Sequence, residues 1–169
     1  MNILDKHNWD LFGVYSFIMW TLVLIIIPGI IYLLSITGTI YSKGNFTKKD
    51  VFLEYAGSLL PFGLMIWIAF VIPMLFVNVT FIIQSISDPF GWGWDFFDTA
   101  NIPWHQFLPQ FIPWFQAIFI LSGLYLSLRN VRKSWARYNM DPGQVFSVSF
   151  PLALFLIGVA VALLFFFTN

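Results

Sequence analysis

Residues 55–87 read YAGSLLPFGLMIWIAFVIPMLFVNVTFIIQSIS, a run without a single Asp, Glu, Lys or Arg between Glu54 and Asp88. A transmembrane helix needs ~20 mostly apolar residues to cross ~30 Å of hydrocarbon, and this run exceeds that length. Three further uncharged runs cover 11–42, 99–128 and 142–169, so every ionised side chain falls in the gaps. An ionised side chain at the bilayer centre costs roughly 2.5–3.5 kcal/mol on insertion scales, which is the pressure that produces such a partition. The pattern predicts an all-α integral membrane protein, one domain over 1–169, with spans at about 12–38, 56–84, 108–128 and 145–167.

Composition agrees. The chain is 59% hydrophobic, 21% aromatic and only 9% charged, and four spans leave no room for a folded soluble domain. Nothing in this charge balance suggests nucleic-acid binding. With no cysteine, disulfides, thiolate metal ligands, cysteine-held iron–sulfur clusters and covalently attached c-type haem are excluded. The opening MNILDKHNWD does not read as a signal peptide, because the apolar run behind it is far longer than an h-region.

Charge asymmetry predicts orientation. Seven of the eight basic residues, Lys43, Lys48, Lys49, Arg129, Arg132, Lys133 and Arg137, lie in the first and third gaps. The gap at 86–106 holds Asp88, Asp95 and Asp98 and no Lys or Arg. The positive-inside rule then makes the first and third gaps cytoplasmic. A multi-pass protein of the plasma membrane follows, with both termini and the 86–106 loop outside. The run 129–138 reads as a continuation of the third helix, its cations topogenic signals that also suit anionic headgroups at ~1 kcal/mol each.

Pro28, Pro61, Pro73, Pro113 and Pro151 fall within or beside the spans. Broken helices around a substrate are one reading, and shape-fitting within a bundle is the commoner one. Ser122, Gly123 and Ser127, then Gly158, Ala160 and Ala162, permit close helix approach. The 21 phenylalanines exceed what a lone bundle interior needs, and neighbouring subunits would use the surplus.

Chemistry at membrane depth usually requires an ionisable side chain facing the interior, and none lies in a span. The only histidines, His7 and His105, fall outside the spans, so a haem between intramembrane histidines is excluded. Asn78, Thr80, Gln84, Gln110 and Gln116 read as interhelical hydrogen bonders, with a quinone contact as the rival. These features argue against a pump, a proton-coupled transporter or a stand-alone redox enzyme, and no cofactor is expected.

The informative segment is the 87–105 loop, SDPFGWGWDFFDTANIPWH. Gly91, Gly93, Pro89 and Pro103 constrain its backbone, and Trp92, Trp94 and Trp104 suit a membrane–water interface. Those three tryptophans read as partner anchors, with Asp95 and Asp98 at their rim. Asp88, Asp95, Asp98 and His105 are also weak candidates for a divalent metal, but no HxH, HxxxH or HExxH spacing supports one, and solvated acids or a helix cap explain them equally.

The run at 87–100 also resembles a segment in the membrane part of polytopic ferredoxin-type proteins, the membrane polyferredoxins of the nitrous-oxide and nitrate respiratory accessory group. The following helix, Arg-rich turn and final helix look similar, so the resemblance covers about half the chain. It implies a scaffold shared with a redox membrane module. The cysteines of those proteins are missing here, so no cluster site carries over. The expectation is a non-catalytic accessory subunit of a membrane metallo-oxidoreductase, most specifically a copper membrane monooxygenase complex such as archaeal ammonia monooxygenase, in contact with membrane lipids and other integral membrane subunits. An assembly or anchoring factor and a small neutral-solute channel or transporter are the alternatives.

Overall fold

A computed structural model describes residues 6–42, 46–99 and 101–168, with side chains described from residue 11 to 167; Lys43 and Ala100 lie outside the described residues. All secondary structure among them is helical. The elements are α1 (Lys6–Thr21), a π-turn (Leu22–Ile26), α2 (Ile27–Tyr41), α3 (Lys48–Ser87), a short 3-10 turn (Pro109–Phe111), α4 (Ile112–Ala136) and α5 (Pro142–Thr168). Four helices are long and apolar enough to cross a membrane: Leu11–Tyr41, Lys48–Ser87, Pro109–Ala136 and Pro142–Phe167.

Each expected span is present, but the helices overrun their apolar cores. α3 has 40 residues, or ~60 Å at 1.5 Å per residue, about twice a hydrocarbon thickness. It begins at Lys48 because Thr47 and Asp50 form a cap. The Thr47 amide and hydroxyl donate to Asp50 Oδ2 at 3.1 and 2.6 Å, and the Asp50 amide returns to Thr47 Oγ1 at 3.3 Å. These bonds satisfy donors a helix start leaves open. α4 continues through the basic segment to Ala136, as its sequence suggested.

The chain divides into two compact units, 1–57 with 131–154 and 58–130 with 155–169. In the first, the α1–α2 rod is held by a stripe of small or short side chains. Ile31, Ser35 and Gly38 on α2 and Ser42 at its C-cap are buried, whereas no residue in the rod's most apolar window is. A Cβ at Gly38 would meet the Tyr55 hydroxyl and come within 2.9 Å of Val51 Cγ1. Trp135 is fully buried, with the rings of Phe46, Tyr55 and Tyr138 at 5.2, 6.5 and 5.8 Å. Arg137 lies 3.7 Å from Glu54, which also accepts the Tyr138 hydroxyl at 3.0 Å. That hydrogen bond and the carboxylate's charge raise Tyr138 above its ordinary phenol range.

None of the five prolines in or beside the expected spans ends a membrane-length helix. Pro28 follows the π-turn, where the Ile27 amide donates to Leu22 O, five residues back. Pro113 sits in the first turn of α4, where no donor is needed. Three others, Pro61, Pro73 and Pro151, lie inside helices, and for Pro73 a side chain of a neighbouring helix meets the carbonyl it strands. Pro73 cannot donate to Ala69 O, and Gln116 donates its amide there instead, at 3.2 Å. Beside Pro61, the Phe62 amide donates to Ser127 Oγ at 3.1 Å. Near Pro151, the Tyr55 hydroxyl donates to Val148 O. Gly123 lies against Met65 and Phe62, where a Cβ would come within 2.7 Å of Met65 Cβ.

The Gln116 bond predicts a double-mutant signature. Intramembrane hydrogen bonds average ~0.6 kcal/mol and reach ~1.7 kcal/mol. Gln116→Leu should cost towards the upper end, because it strands a carbonyl that no backbone amide can satisfy. In a Pro73→Ala background residue 73 supplies that amide, so the cost of Gln116→Leu should shrink towards zero. Unfolding in mixed micelles measures both costs, and equal costs in the two backgrounds would refute the pairing.

Candidate functional site

The loop between α3 and α4 is fixed by its own polar side chains. α3 ends at Ser87, and Gly91 and Gly93 take positive φ of 65° and 77°, angles a β-carbon disfavours. The Asp88 carboxylate spans this turn, accepting the Trp92 amide on Oδ1 at 3.0 Å and the Gly93 amide on Oδ2 at 2.9 Å. A second staple follows. Ser87 Oγ donates to Asp95 Oδ1 at 2.6 Å and accepts the Phe97 amide at 3.1 Å, while Asp95 Oδ1 also accepts the Thr99 amide at 2.8 Å. Both acids therefore template the backbone, as Asp side chains do in turns.

Beyond this turn the chain folds back along the last turns of α3. The Gln84 amide donates to Ile102 O, Thr80 Oγ1 donates to His105 O at 3.0 Å, and the Trp104 indole donates to Val77 O at 3.1 Å. The Phe107 amide reaches Phe76 O at 3.1 Å. The loop thus covers more than two turns of a helix expected to lie in the membrane. This corrects part of the sequence reading: Thr80 and Gln84 hold loop backbone rather than another helix, because a descending extended segment has carbonyls free to accept. Asn78 donates to Met74 O on its own helix at 2.8 Å, Gln110 is exposed, and of these five candidates Gln116 is the one that bonds to another helix.

The staples present a ridge of aromatic rings. Phe90 stacks on Trp92 at 5.0 Å, Trp92 meets Trp94 edge-on at 5.0 Å, and Trp94 meets Phe96 at 5.3 Å. All four are exposed, Trp92 by 67% and Phe96 by 61%. Phe90 and Phe96 were not singled out from sequence, although aromatics at 90, 92, 94 and 96 follow the period-2 alternation of an extended chain. Trp104 lies apart from this ridge, tied to α3 through its indole nitrogen.

The acidic candidates separate. Asp88 and Asp95 line a polar recess of about 290 Å³ with Gln84, Ser85, Gly93, Trp94 and Asn101. Asp98 is exposed at positive φ, 55°, and His105 Nδ1 lies 3.1 Å from Pro103 O, neither in that recess. No group of three His, Asp, Glu or Cys side chains converges among the described residues. Of the basic candidates, Lys48 and Lys49 occupy the first turn of α3, and Arg129, Arg132 and Lys133 project from α4. Arg137 is held by Glu54 and by Ser134 Oγ at 3.1 Å.

The arrangement offers apolar contact area at fixed geometry, with two carboxylates committed to backbone amides. No family model matches the chain, and no match to it is found among curated proteins or solved structures.

Proposed function

We propose that the chain is a multi-pass plasma-membrane protein, with both termini and the aromatic loop outside, that serves as a non-catalytic accessory subunit of a multi-subunit membrane metallo-oxidoreductase. The observation that carries this reading is the stapled ridge Phe90–Trp92–Trp94–Phe96. Contiguous exposed aromatics on a constrained backbone suit an interface, because rigid anchors lose little entropy on docking and dominate binding energy when buried. The redox host rests on the resemblance of 87–100 to the membrane polyferredoxins. A copper membrane monooxygenase such as archaeal ammonia monooxygenase is its most specific form, by analogy.

Mild-detergent native electrophoresis of source membranes, with mass spectrometry of the band holding this chain, tests the proposal. Fixed-stoichiometry co-migration with metal-bearing membrane subunits is expected. Migration alone would overturn it, and substoichiometric association would favour the assembly-factor reading. A polar path for a neutral solute has less support, since the Asn78, Gln84 and Gln116 amides are engaged within the protein. Orientation is tested separately by thiol labelling: Asn101→Cys should react from outside and Lys133→Cys should not.

A further inference from the structure

The last turns of α4 and the first turn of α5 bound a groove of about 480 Å³ lined by Arg132, Ala136, Met140, Pro142, Val145 and Phe146. Its lining combines one cationic residue, Arg132, with apolar ones. The cationic side chain has no protein partner: among the described residues the Arg132 guanidinium makes no hydrogen bond or ion pair, whereas Arg137, five residues on, is engaged by Glu54 and Ser134. The uncharged run of α4 ends at Leu128, and that of α5 begins at Pro142. The groove therefore sits where both helices pass between headgroups and hydrocarbon, if they cross a membrane.

We infer that this groove is a discrete site for one acidic glycerophospholipid. Its phosphate pairs with the Arg132 guanidinium, whose planar fork suits phosphate oxygens. One of its chains lies along Met140, Val145 and Phe146. Lys133, exposed on the same helix, adds positive potential that favours a net-negative lipid. The single acid at this end of α5, Asp141, lines a separate recess with Tyr41, Gly143, Gln144 and Ser147. The site depends on membrane insertion and not on the identity of the host complex.

Native mass spectrometry of the full chain in detergent, titrated with phosphatidylglycerol, tests the site. A 1:1 adduct is expected, with phosphatidylcholine binding at least several-fold more weakly. Arg132→Ala should lower phosphatidylglycerol affinity about tenfold, and Ala136→Trp, which fills the groove and keeps every charge, should lower it comparably. Lys133→Ala should change it less than twofold. An equal loss for Lys133→Ala would reduce the effect to diffuse surface charge and overturn the site. So would displacement of the lipid by millimolar inorganic phosphate, or the absence of any 1:1 adduct. Helical circular dichroism of each variant separates loss of the lipid from loss of the fold.

Discussion

Replacing Trp92 and Trp94 together by alanine should strip the chain from the proposed complex while leaving its helices intact. Both rings are exposed, so neither supports the described fold from inside. Each is held by rings on either side, Trp92 between Phe90 and Trp94, and Trp94 between Trp92 and Phe96. Buried aromatic anchors cost about 2 kcal/mol or more when truncated. Two of them give roughly 4 kcal/mol, about a thousandfold in dissociation constant. Asp88→Ala should act more weakly through another route: it frees the Trp92 and Gly93 amides, so the ridge must be ordered on docking. Lys133→Ala should leave assembly unchanged. Full-stoichiometry co-purification of the tryptophan double variant would mean that the ridge only caps the bundle, and that any subunit contact runs along the helices.

The number, order and approximate spans of the helices were legible because charge exclusion is a property of single residues, readable without knowing any neighbour. The same logic marked 87–105 as a connection between two long helices. Helix ends were less legible, because the charged first turn of α3 is fixed by a three-residue Thr47–Asp50 reciprocity that hydropathy does not register. Least legible were the destinations of polar side chains. Thr80, Gln84 and Gln116 look alike as polar residues in apolar helices, yet two secure a loop and one repairs a proline.

The repair had a partial signal. A proline at 73 announces a stranded carbonyl at 69, and a membrane offers no water to satisfy it. What sequence lacks is the register of α4 on α3, which decides that Gln116 is the donor. The acids of the loop follow the same pattern. Asp88, immediately after a helix and just before Pro-x-Gly, has the composition of a turn, and the structure commits both its oxygens to backbone amides.

Gly38→Leu should detach the α1–α2 rod from the rest of the chain, and Gly29→Leu should not. Both glycines lie on α2, and both substitutions add the same side chain and the same helix propensity. Space alone distinguishes them: a Cβ at Gly29 meets nothing within 4 Å, whereas one at Gly38 collides with the Tyr55 hydroxyl and comes within 2.9 Å of Val51 Cγ1. Tyr55 cannot yield cheaply, because its ring is fully buried against Trp135 and its hydroxyl donates to Val148 O beside Pro151. Overpacking a close-packed contact costs about 1–3 kcal/mol or more, and among the described residues the rod's fully buried side is the Ile31–Ser35–Gly38–Ser42 stripe. Co-expressing fragments 1–42 and 46–169, with the tag on the longer one, makes the contact measurable. The wild-type and Gly29→Leu short fragments should co-purify in detergent, and the Gly38→Leu fragment should be reduced at least tenfold at equal membrane insertion. Equal recovery of both glycine variants would show that the rod is held by something other than this close approach.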